Sequence, residues 1–286
     1  MAANQRVIVA GAGGVFGRLL VRELTGKFHV VAATRRELDL NDVEAVRRMA
    51  KGAYAIACTA GPFQALDRRI VRACVEAGAH WLDIGDDARW FFDLLDDREL
   101  DALARERGVA VLPGLSTLPA VSGALVRRLG SRGPVKVTLR INNRNAKGAA
   151  AIASAAAAGG RSLNSPDREL FRRELGLEVE AVVEFEAPFA SAVMRPLQRL
   201  PLPVLIRLGR IIARLAKPFA FGKPGGWLEA RDAVRALRIN TPDQRIAVLP
   251  LVFALEHLGG ISGCHAPRVF DGEQLLRSLE RTMGQL

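Results

Sequence analysis

Short apolar runs alternate with amphipathic stretches along the first 130 residues of the chain. The runs are mostly aliphatic and are bounded by glycine, proline or polar residues, which is typical of strands buried in a parallel sheet. The stretches between them carry apolar residues at helical spacing, and several end at a glycine. This pattern predicts strands at residues 6–10, 29–34, 54–59, 80–84 and 109–112. It predicts helices at residues 15–24, 41–50, 67–77, 97–107 and 119–129.

Strands and helices that alternate in this way form βαβ units, and these units give the predicted fold class. Right-handed crossovers bring the carboxyl ends of the strands to one edge of a parallel sheet, where ligands bind. We therefore expect an α/β protein whose N-terminal domain, residues 1–130, is a Rossmann doubly wound parallel sheet.

The alternation of short strands and helices ends at a Gly-Ser-Arg-Gly-Pro segment, residues 130–134. The pattern now predicts strands at residues 135–141 and 177–185 and an Ala-rich helix at residues 148–160. We expect a second α+β domain over residues 131–262, used for substrate binding or dimerisation. The last segment, residues 263–286, is predicted to contain a helix that packs back on the Rossmann domain.

Residues 195–223 form an unusual segment with seven basic residues and no acidic one. At helical spacing, its arginines and its aliphatic residues fall on different faces. The basic face holds Arg207, Arg210 and Arg214, and the apolar face holds Leu205, Leu208, Ile212 and Leu215. A basic amphipathic helix suits an anionic membrane surface. The alternative is a solvated helix that lines an apolar substrate pocket or a dimer interface.

Composition adds limits on partners and location. The net charge of +11 permits binding of phosphates, nucleic acid or anionic lipid, although a high-GC genome rich in arginine codons would produce the same excess. No nucleic-acid recognition motif accompanies the charge, so no nucleic-acid partner is expected. Three scattered cysteines give neither a disulfide framework nor a metal-binding spacing. Without a signal-like start or a long apolar span, we expect a cytoplasmic protein, with peripheral membrane association left open.

A glycine-rich turn lies between the first predicted strand and the first helix. It is made up of Gly11, Ala12, Gly13, Gly14, Val15, Phe16 and Gly17. Glycines in this context let the backbone approach a pyrophosphate at the N-terminus of the helix, and the last one allows the helix to pack against the strand. The usual G-x-G-x-x-G spacing fails because Phe16 takes its last position. Set between two apolar strands, the turn still predicts a dinucleotide site.

The end of the second strand suggests which dinucleotide binds. NAD-binding domains usually place an acid there to bind the ribose 2′-hydroxyl. This chain has Thr34, Arg35 and Arg36 instead, and a guanidinium pairs with the 2′-phosphate of NADP. We therefore expect NADP. Glu37 and Asp39 lie nearby and keep NAD as the less favoured cofactor, and a solvated strand end is the other interpretation of the two arginines.

Four further segments carry a family resemblance. They are Ala57-Cys-Thr-Ala-Gly-Pro-Phe63, Val71-Arg-Ala-Cys-Val-Glu-Ala-Gly78, His80-Trp-Leu-Asp-Ile-Gly85 and Arg107-Gly-Val-Ala-Val-Leu-Pro-Gly114. Over about residues 6–125 the chain resembles the saccharopine dehydrogenase-like oxidoreductase superfamily. The resemblance implies an NADP-binding Rossmann domain, a second α/β domain inserted before the terminal segment, and often a homodimer. It implies oxidoreductase activity on a small or lipid-like substrate without identifying that substrate.

The resemblance adds Ala60, Gly61, Pro62, Phe63 and Asp83 to the candidate cofactor residues. A Gly-Pro turn at the carboxyl edge of the sheet suits close approach to the nicotinamide ribose, although it could also simply begin a helix. Asp83 ends the fourth strand, where it could orient a ribose or substrate group, or cap the next element.

No catalytic residue stands out in the sequence. The Tyr-x-x-x-Lys pair of short-chain dehydrogenases is excluded, because the one tyrosine, Tyr54, has a cysteine four residues later. Eight residues are candidate proton donors or substrate contacts, and each could instead have a purely structural role. They are Cys58, His80, Asp86, Asp87, Ser116, Thr117, His257 and His265. The sequence thus favours an NADP(H)-dependent oxidoreductase, with a catalytically silent NADP-binding sensor or scaffold as the alternative.

Overall fold

The structure is a computed structural model that describes residues 4–145, 165–186, 197, 199–215 and 222–284. It divides into two compact units. The first unit combines Met1–Ser116 with Ala247–Asp271, and the second combines Thr117–Ile246 with Gly272–Leu286.

The described strands and helices follow in chain order. The strands are β1 (Arg6–Ala10), β2 (His29–Ala33), β3 (Ala55–Cys58), β4 (His80–Asp83), β5 (Ala110–Leu112), β6 (Val135–Ile141), β7 (Val179–Phe185), β8 (Gly226–Arg231), β9 (Ala236–Thr241) and β10 (Gly263–Cys264). The helices are α1 (Val15–Leu24), α2 (Val43–Ala50), α3 (Arg69–Glu76), α4 (Ala88–Leu95), α5 (Arg98–Glu106), α6 (Ser122–Leu129), α7 (Asp167–Leu175), α8 (Leu202–Leu215), α9 (Leu249–Glu256) and α10 (Gly272–Thr282).

The first unit is built on a six-stranded sheet in the order β2-β1-β3-β4-β5-β10, in which every pairing is parallel. All four residues of β3 and four of the five residues of β1 are buried, because both faces of the sheet are covered. The strand order reverses between β1 and β3. In open α/β sheets a ligand crevice lies at the carboxyl ends of the strands beside such a reversal.

Three helices of the first unit begin at an aspartate that caps them. The carboxylates of Asp42, Asp87 and Asp97 accept hydrogen bonds from backbone N–H groups three residues later, at the starts of α2, α4 and α5. Such caps satisfy N–H groups that have no partner within the helix. The helix start predicted at residues 41–42 is therefore set by Asp42.

The second unit is built on a four-stranded mixed sheet in the order β7-β6-β8-β9. β6 pairs parallel with β7 and antiparallel with β8, and β8 continues into a hairpin with β9. Helices α6 and α7 pack on this sheet, and α10 packs on α6. At the start of α6 the hydroxyl of Ser122 donates to the buried carboxylate of Asp167, which also accepts from Ser165.

The predicted fold class is confirmed, with a parallel sheet followed by a smaller mixed one. The units do not follow the expected boundaries at residues 130 and 262. Helix α6 was expected in the N-terminal domain but belongs to the second unit, because it packs on β8 and α10. Helix α4 was not predicted. The predicted Ala-rich helix at residues 148–160 lies outside the described residues.

His80, at the start of β4, is half-buried and accepts a hydrogen bond from the backbone. Its Nδ1 accepts from the N–H of Ala110 at 2.8 Å, and its ring lies edge-on to that of Tyr54 with centroids 5.0 Å apart. Burial lowers the pKa of His80 to about 4, below the 6.5 of an unperturbed histidine. The neutral ring is therefore the form that suits the folded state.

We expect His80 to make the fold less stable in mild acid. Above pH 6.5 the residue is neutral in both states, whereas below it the unfolded chain takes up the proton first, so stability falls until the folded residue titrates near pH 4. The loss is about 3 kcal/mol. His80→Asn keeps an acceptor for Ala110, and urea unfolding should show this loss reduced, while the exposed His29→Asn should follow the unsubstituted protein. Identical pH profiles for all three proteins would contradict the assignment.

Candidate functional site

The glycine-rich turn after β1 is held against β2 and the loop that follows β3. The N–H groups of Gly11 and Ala12 both donate to the carbonyl of Ala33, at 2.9 and 3.1 Å. Gly11 has a φ of +83°, and a Cβ there would lie 2.9 Å from the Cβ of Ala60. Only glycine meets both conditions.

The same turn packs closely against helix α1. A Cβ on Gly17 would lie 2.1 Å from the carbonyl oxygen of Gly11, so the helix could not approach the turn with any side chain there. Gly14 precedes the helix and offers no side chain to cap it. The N–H groups of the first turn, which includes Val15 and Phe16, therefore lie at the carboxyl edge of the sheet with the positive end of the helix dipole.

An arginine that sequence reasoning missed also belongs to this turn. The guanidinium of Arg18 donates to the carbonyl of Gly13, while Gly13 and Gly14 are exposed. Arg18 thus adds positive charge beside backbone that carries no side chain. Its position in the first turn of α1, directly after Gly17, is the signal that could have identified it.

The residues after β2 lie next to the turn. A Cβ on Gly13 would be 3.5 Å from Cγ2 of Thr34. The N–H and hydroxyl of Thr34 donate to the carboxylate of Glu37, and these bonds lower the pKa of Glu37. Arg35 and Arg36 are both exposed. The predicted residues of the turn and of the β2 end are therefore brought together.

The two arginines differ in their surroundings. The Nε of Arg35 lies 4.0 Å from Oδ1 of Asp39, which also accepts from the backbone and side chain of Asn41. These partners lower the pKa of Asp39. Among the described residues, no ion pair involves Arg36. Arg36 is therefore the one whose guanidinium is available to an added anion.

The loop after β3 has an exposed part and an anchored part. Ala60, Gly61 and Pro62 are partly exposed, and the Gly61–Pro62 peptide bond is cis. Phe63 is buried and packs on Trp90 of α4, with ring centroids 5.7 Å apart. The first three residues can thus face a ligand, whereas Phe63 fixes the loop to the core.

Asp83 lies at the carboxyl end of β4 and is fully buried. Its Oδ2 accepts from the indole N–H groups of Trp81 and Trp90, both at 2.9 Å. Its Oδ1 accepts from the backbone N–H groups of Gly85 at 2.8 Å and Gly114 at 3.2 Å. The carboxylate therefore connects β4, the loop after it, helix α4 and the loop after β5.

Burial raises the pKa of Asp83, and the four N–H donors oppose that shift. Because each carboxylate oxygen already accepts two hydrogen bonds from protein N–H groups, the carboxyl group acts as a structural acceptor. Of the two roles left open by the sequence, the structure favours fixing the neighbouring segments over contact with a ribose. Trp90 was missed because helix α4 was not predicted.

The candidate proton donors of the first unit are buried or bonded to the protein. Cys58 is fully buried, and burial raises the pKa of its thiol. His80 lies at the amino end of β4, away from the carboxyl edge. His257 and His265 belong to the first unit, and a ring nitrogen of each lies within hydrogen-bond distance of a backbone carbonyl.

The remaining candidates follow β4 and β5. Asp87 is buried, caps α4 and accepts from the side chain of Gln64 at 3.0 Å. Asp86 is partly buried and also has a partner. Ser116 and Thr117 are both buried. No pair of these residues is brought into an acid–base arrangement in the described part of the chain.

Comparison with known proteins gives partial likenesses. No family model matches the chain. A dTDP-4-dehydrorhamnose reductase of Mycolicibacterium smegmatis is 43% identical over 58 residues, which is 20% of this chain and 18% of that protein. The described helices include none long and apolar enough to cross a membrane, and the described residues include no cluster of three potential metal ligands.

Several solved structures align over most of the chain. The DAP dehydrogenase of C. glutamicum in complex with DAP is 15% identical, with 93% of each chain covered and a TM-score of 0.47. The dipicolinate-bound dihydrodipicolinate reductase of Paenisporosarcina sp. TG-14 is 10% identical, with 93% of this chain and 100% of that chain covered and a TM-score of 0.48. At such identities and TM-scores, these likenesses assign no activity to this chain.

We expect Asp83→Asn to destabilise the first unit. An asparagine amide would turn its NH₂ group toward two of the N–H donors that the carboxylate now accepts from, at a cost of about 2–4 kcal/mol. Asp97→Asn is the matched control, because asparagine caps a helix about as well as aspartate does. Urea unfolding of both variants measures the difference, and equal stability of the two would show that the Asp83 contacts are not needed.

Proposed function

We propose that this chain is an NADP(H)-dependent oxidoreductase. The observation that carries the proposal is the position of the exposed Gly13 beside Thr34, where a Cβ on Gly13 would lie 3.5 Å from Cγ2 of Thr34, followed directly by the exposed Arg35 and Arg36. A backbone that can approach a pyrophosphate thus lies beside two cationic side chains. In dinucleotide-binding domains the pyrophosphate lies at the glycine turn, and an arginine near the end of the second strand accommodates the 2′-phosphate.

The residues present fit this cofactor. The cradle between Gly11, Gly17 and Ala60 would be filled by any added Cβ, so it is built for backbone contact. Gly13, Gly14 and the first turn of α1 would hold the pyrophosphate, and Arg18 would add charge beside it. Arg36, with Arg35 in support, would hold the 2′-phosphate. Ala60, Gly61 and Pro62 would border the nicotinamide ribose.

The cofactor, when bound, supplies or accepts a hydride, and the chain positions it. We assign the finer type from the segments at residues 57–63, 71–78, 80–85 and 107–114, which resemble saccharopine dehydrogenase-like oxidoreductases. On that basis the substrate is a small or lipid-like molecule, the assembly is a homodimer and the protein is cytoplasmic. The three buried, unpaired cysteines suit a reducing compartment.

A catalytically silent NADP-binding sensor or scaffold is the second candidate. It is favoured by the state of the titratable groups near the sheet edge, where Asp83 and Cys58 are buried and Asp87 caps a helix. Such groups hold the fold and exchange protons poorly with a substrate. NADPH oxidation with a panel of carbonyl, imine and enoyl substrates separates the two. Turnover supports the oxidoreductase, whereas tight NADPH binding without turnover on the whole panel supports the sensor.

We expect Arg36→Ala to weaken NADPH binding by about 10- to 100-fold, because charge-assisted hydrogen bonds to the 2′-phosphate are lost. NADH binding should not change, since NADH lacks that phosphate. Arg35→Ala should have a smaller effect, because Asp39 already competes for this side chain.

Isothermal titration calorimetry with both cofactors measures these affinities. Arg22→Ala is the control, because Arg22 is exposed in the last turn of α1, away from the glycine turn. Equal affinity of the unsubstituted protein for NADH and NADPH would contradict the cofactor assignment. An unchanged NADPH affinity in Arg36→Ala would contradict the role of that residue.

A further inference from the structure

Helix α8 carries exposed apolar side chains on one side and is buried on another. Val204, Arg207 and Ile211 follow one another at i, i+3 and i+7 and are exposed, with 39% of Val204 and 52% of Ile211 accessible. Leu200, just before the helix, is also exposed. We call these four residues the α8 stripe. The helix, which belongs to the second unit, therefore has a buried side and still presents apolar surface.

The exposure is concentrated in this part of the chain. Among the described residues, five large apolar side chains are markedly exposed, and three of them belong to the α8 stripe. Opposite the stripe, Leu205 and Gly209 are buried. Isolated exposed apolar residues are ordinary, whereas a row of them along one helix marks a surface that is covered in use.

The stripe lies in a stretch of sequence whose charged residues are all basic, although the carboxylate of Glu186 lies beside Gly222 near the end of that stretch. The sequence from residue 187 to 228 contains seven basic residues and no acidic one. Arg199, Arg207 and Lys223 are exposed. The side chains of Arg210, Arg214, Ile212 and Leu215, which the sequence pattern also placed on this helix, lie outside the described residues.

We propose that the α8 stripe binds an anionic membrane surface, with its apolar side chains inserted at the level of the headgroups and with Arg207 and the neighbouring Arg199 beside the phosphates. An interfacial helix combines exposed apolar residues with basic ones, and here Arg207 lies on the same line as Val204 and Ile211. Lipid phosphates supply the negative charge that the segment lacks.

The two other occupants fit less well. A second copy placed about a two-fold axis would bring the same basic segment against itself, and like charges would oppose the contact. Nucleic acid would satisfy the basic residues but would leave Val204 and Ile211 without an apolar environment. A membrane surface accommodates both kinds of side chain.

The test is co-sedimentation of the full chain with phosphatidylcholine vesicles that contain or lack phosphatidylserine. We expect salt-sensitive binding to the anionic vesicles alone. The double variant Val204→Ser/Ile211→Ser should bind about tenfold more weakly because the apolar insertion is lost. Arg207→Glu should weaken binding by a similar factor through reversed charge.

Two matched controls distinguish an effect of the stripe from the effect of changing the net charge or of changing any exposed apolar residue. Val234→Ser changes an apolar residue that is 88% exposed in the β8–β9 turn, and Arg132→Glu makes the same charge change on an exposed residue elsewhere. Both should bind vesicles as the unsubstituted chain does. The proposal would be overturned if the control variants lost as much vesicle binding as the stripe variants did. It would also be overturned if the chain bound neutral vesicles as well as anionic ones, or if the stripe were needed only for self-association.

A direct probe of insertion completes the test. The tryptophan fluorescence that Ile211→Trp adds to that of the unsubstituted chain should shift to the blue on addition of anionic vesicles. Brominated lipid should quench this added fluorescence, because the side chain enters the acyl boundary. Emission unchanged by vesicles that sediment the protein would overturn the inserted arrangement. NADPH affinity plays no part in these readouts, so the result does not depend on the proposed function.

Discussion

A buried carboxylate fixes the edge of the sheet at which the proposed site lies. Removing a charge from water costs several kcal/mol unless its oxygens find donors, so Asp83 can be buried only with its four N–H partners in place. These partners come from β4, helix α4 and the loops after β4 and β5. Trp90, one of them, also supports Phe63 at 5.7 Å between ring centroids. The loop that carries Gly61 and Pro62 thereby rests on the same hydrogen-bonded group.

The glycine turn adds a constraint of a different kind, since it depends on close backbone approach rather than on hydrogen bonds to a side chain. Gly11 contacts the loop after β3, and Gly17 lies so close to the carbonyl of Gly11 that a Cβ added to Gly17 would be only 2.1 Å from its oxygen. Strand order brings these segments together, because β2 and β3 flank β1 on its two sides. A dinucleotide would therefore meet a surface whose parts are already in place, which limits the ordering cost of binding.

The sequence could predict this region because its signals are local. Apolar runs and glycines gave β1, α1 and β2 to within one residue. Helix α4 was missed because Asp87 was considered as a proton donor or substrate contact, whereas it caps the helix. The role of Asp83 stayed undecided because one of its donors, Gly114, lies 31 residues away. The sequence also could not predict that the second unit begins before α6, since this depends on contacts between α6 and β8, about a hundred residues later in the chain.

The electrostatics of the proposed cofactor site depend on which charged side chains already have partners, rather than on how many acidic and basic residues are nearby. In the sequence, Glu37 and Asp39 follow shortly after the two arginines at the end of β2, which kept NAD open. In the structure Glu37 accepts from Thr34, and Asp39 accepts from Asn41, so both acids are held within their own loop. Their charge remains, but their oxygens are occupied, whereas the guanidinium of Arg36 has no ion-pair partner among the described residues. A ligand that arrives at this edge therefore meets a hydrogen-bond donor that favours phosphate over a ribose hydroxyl.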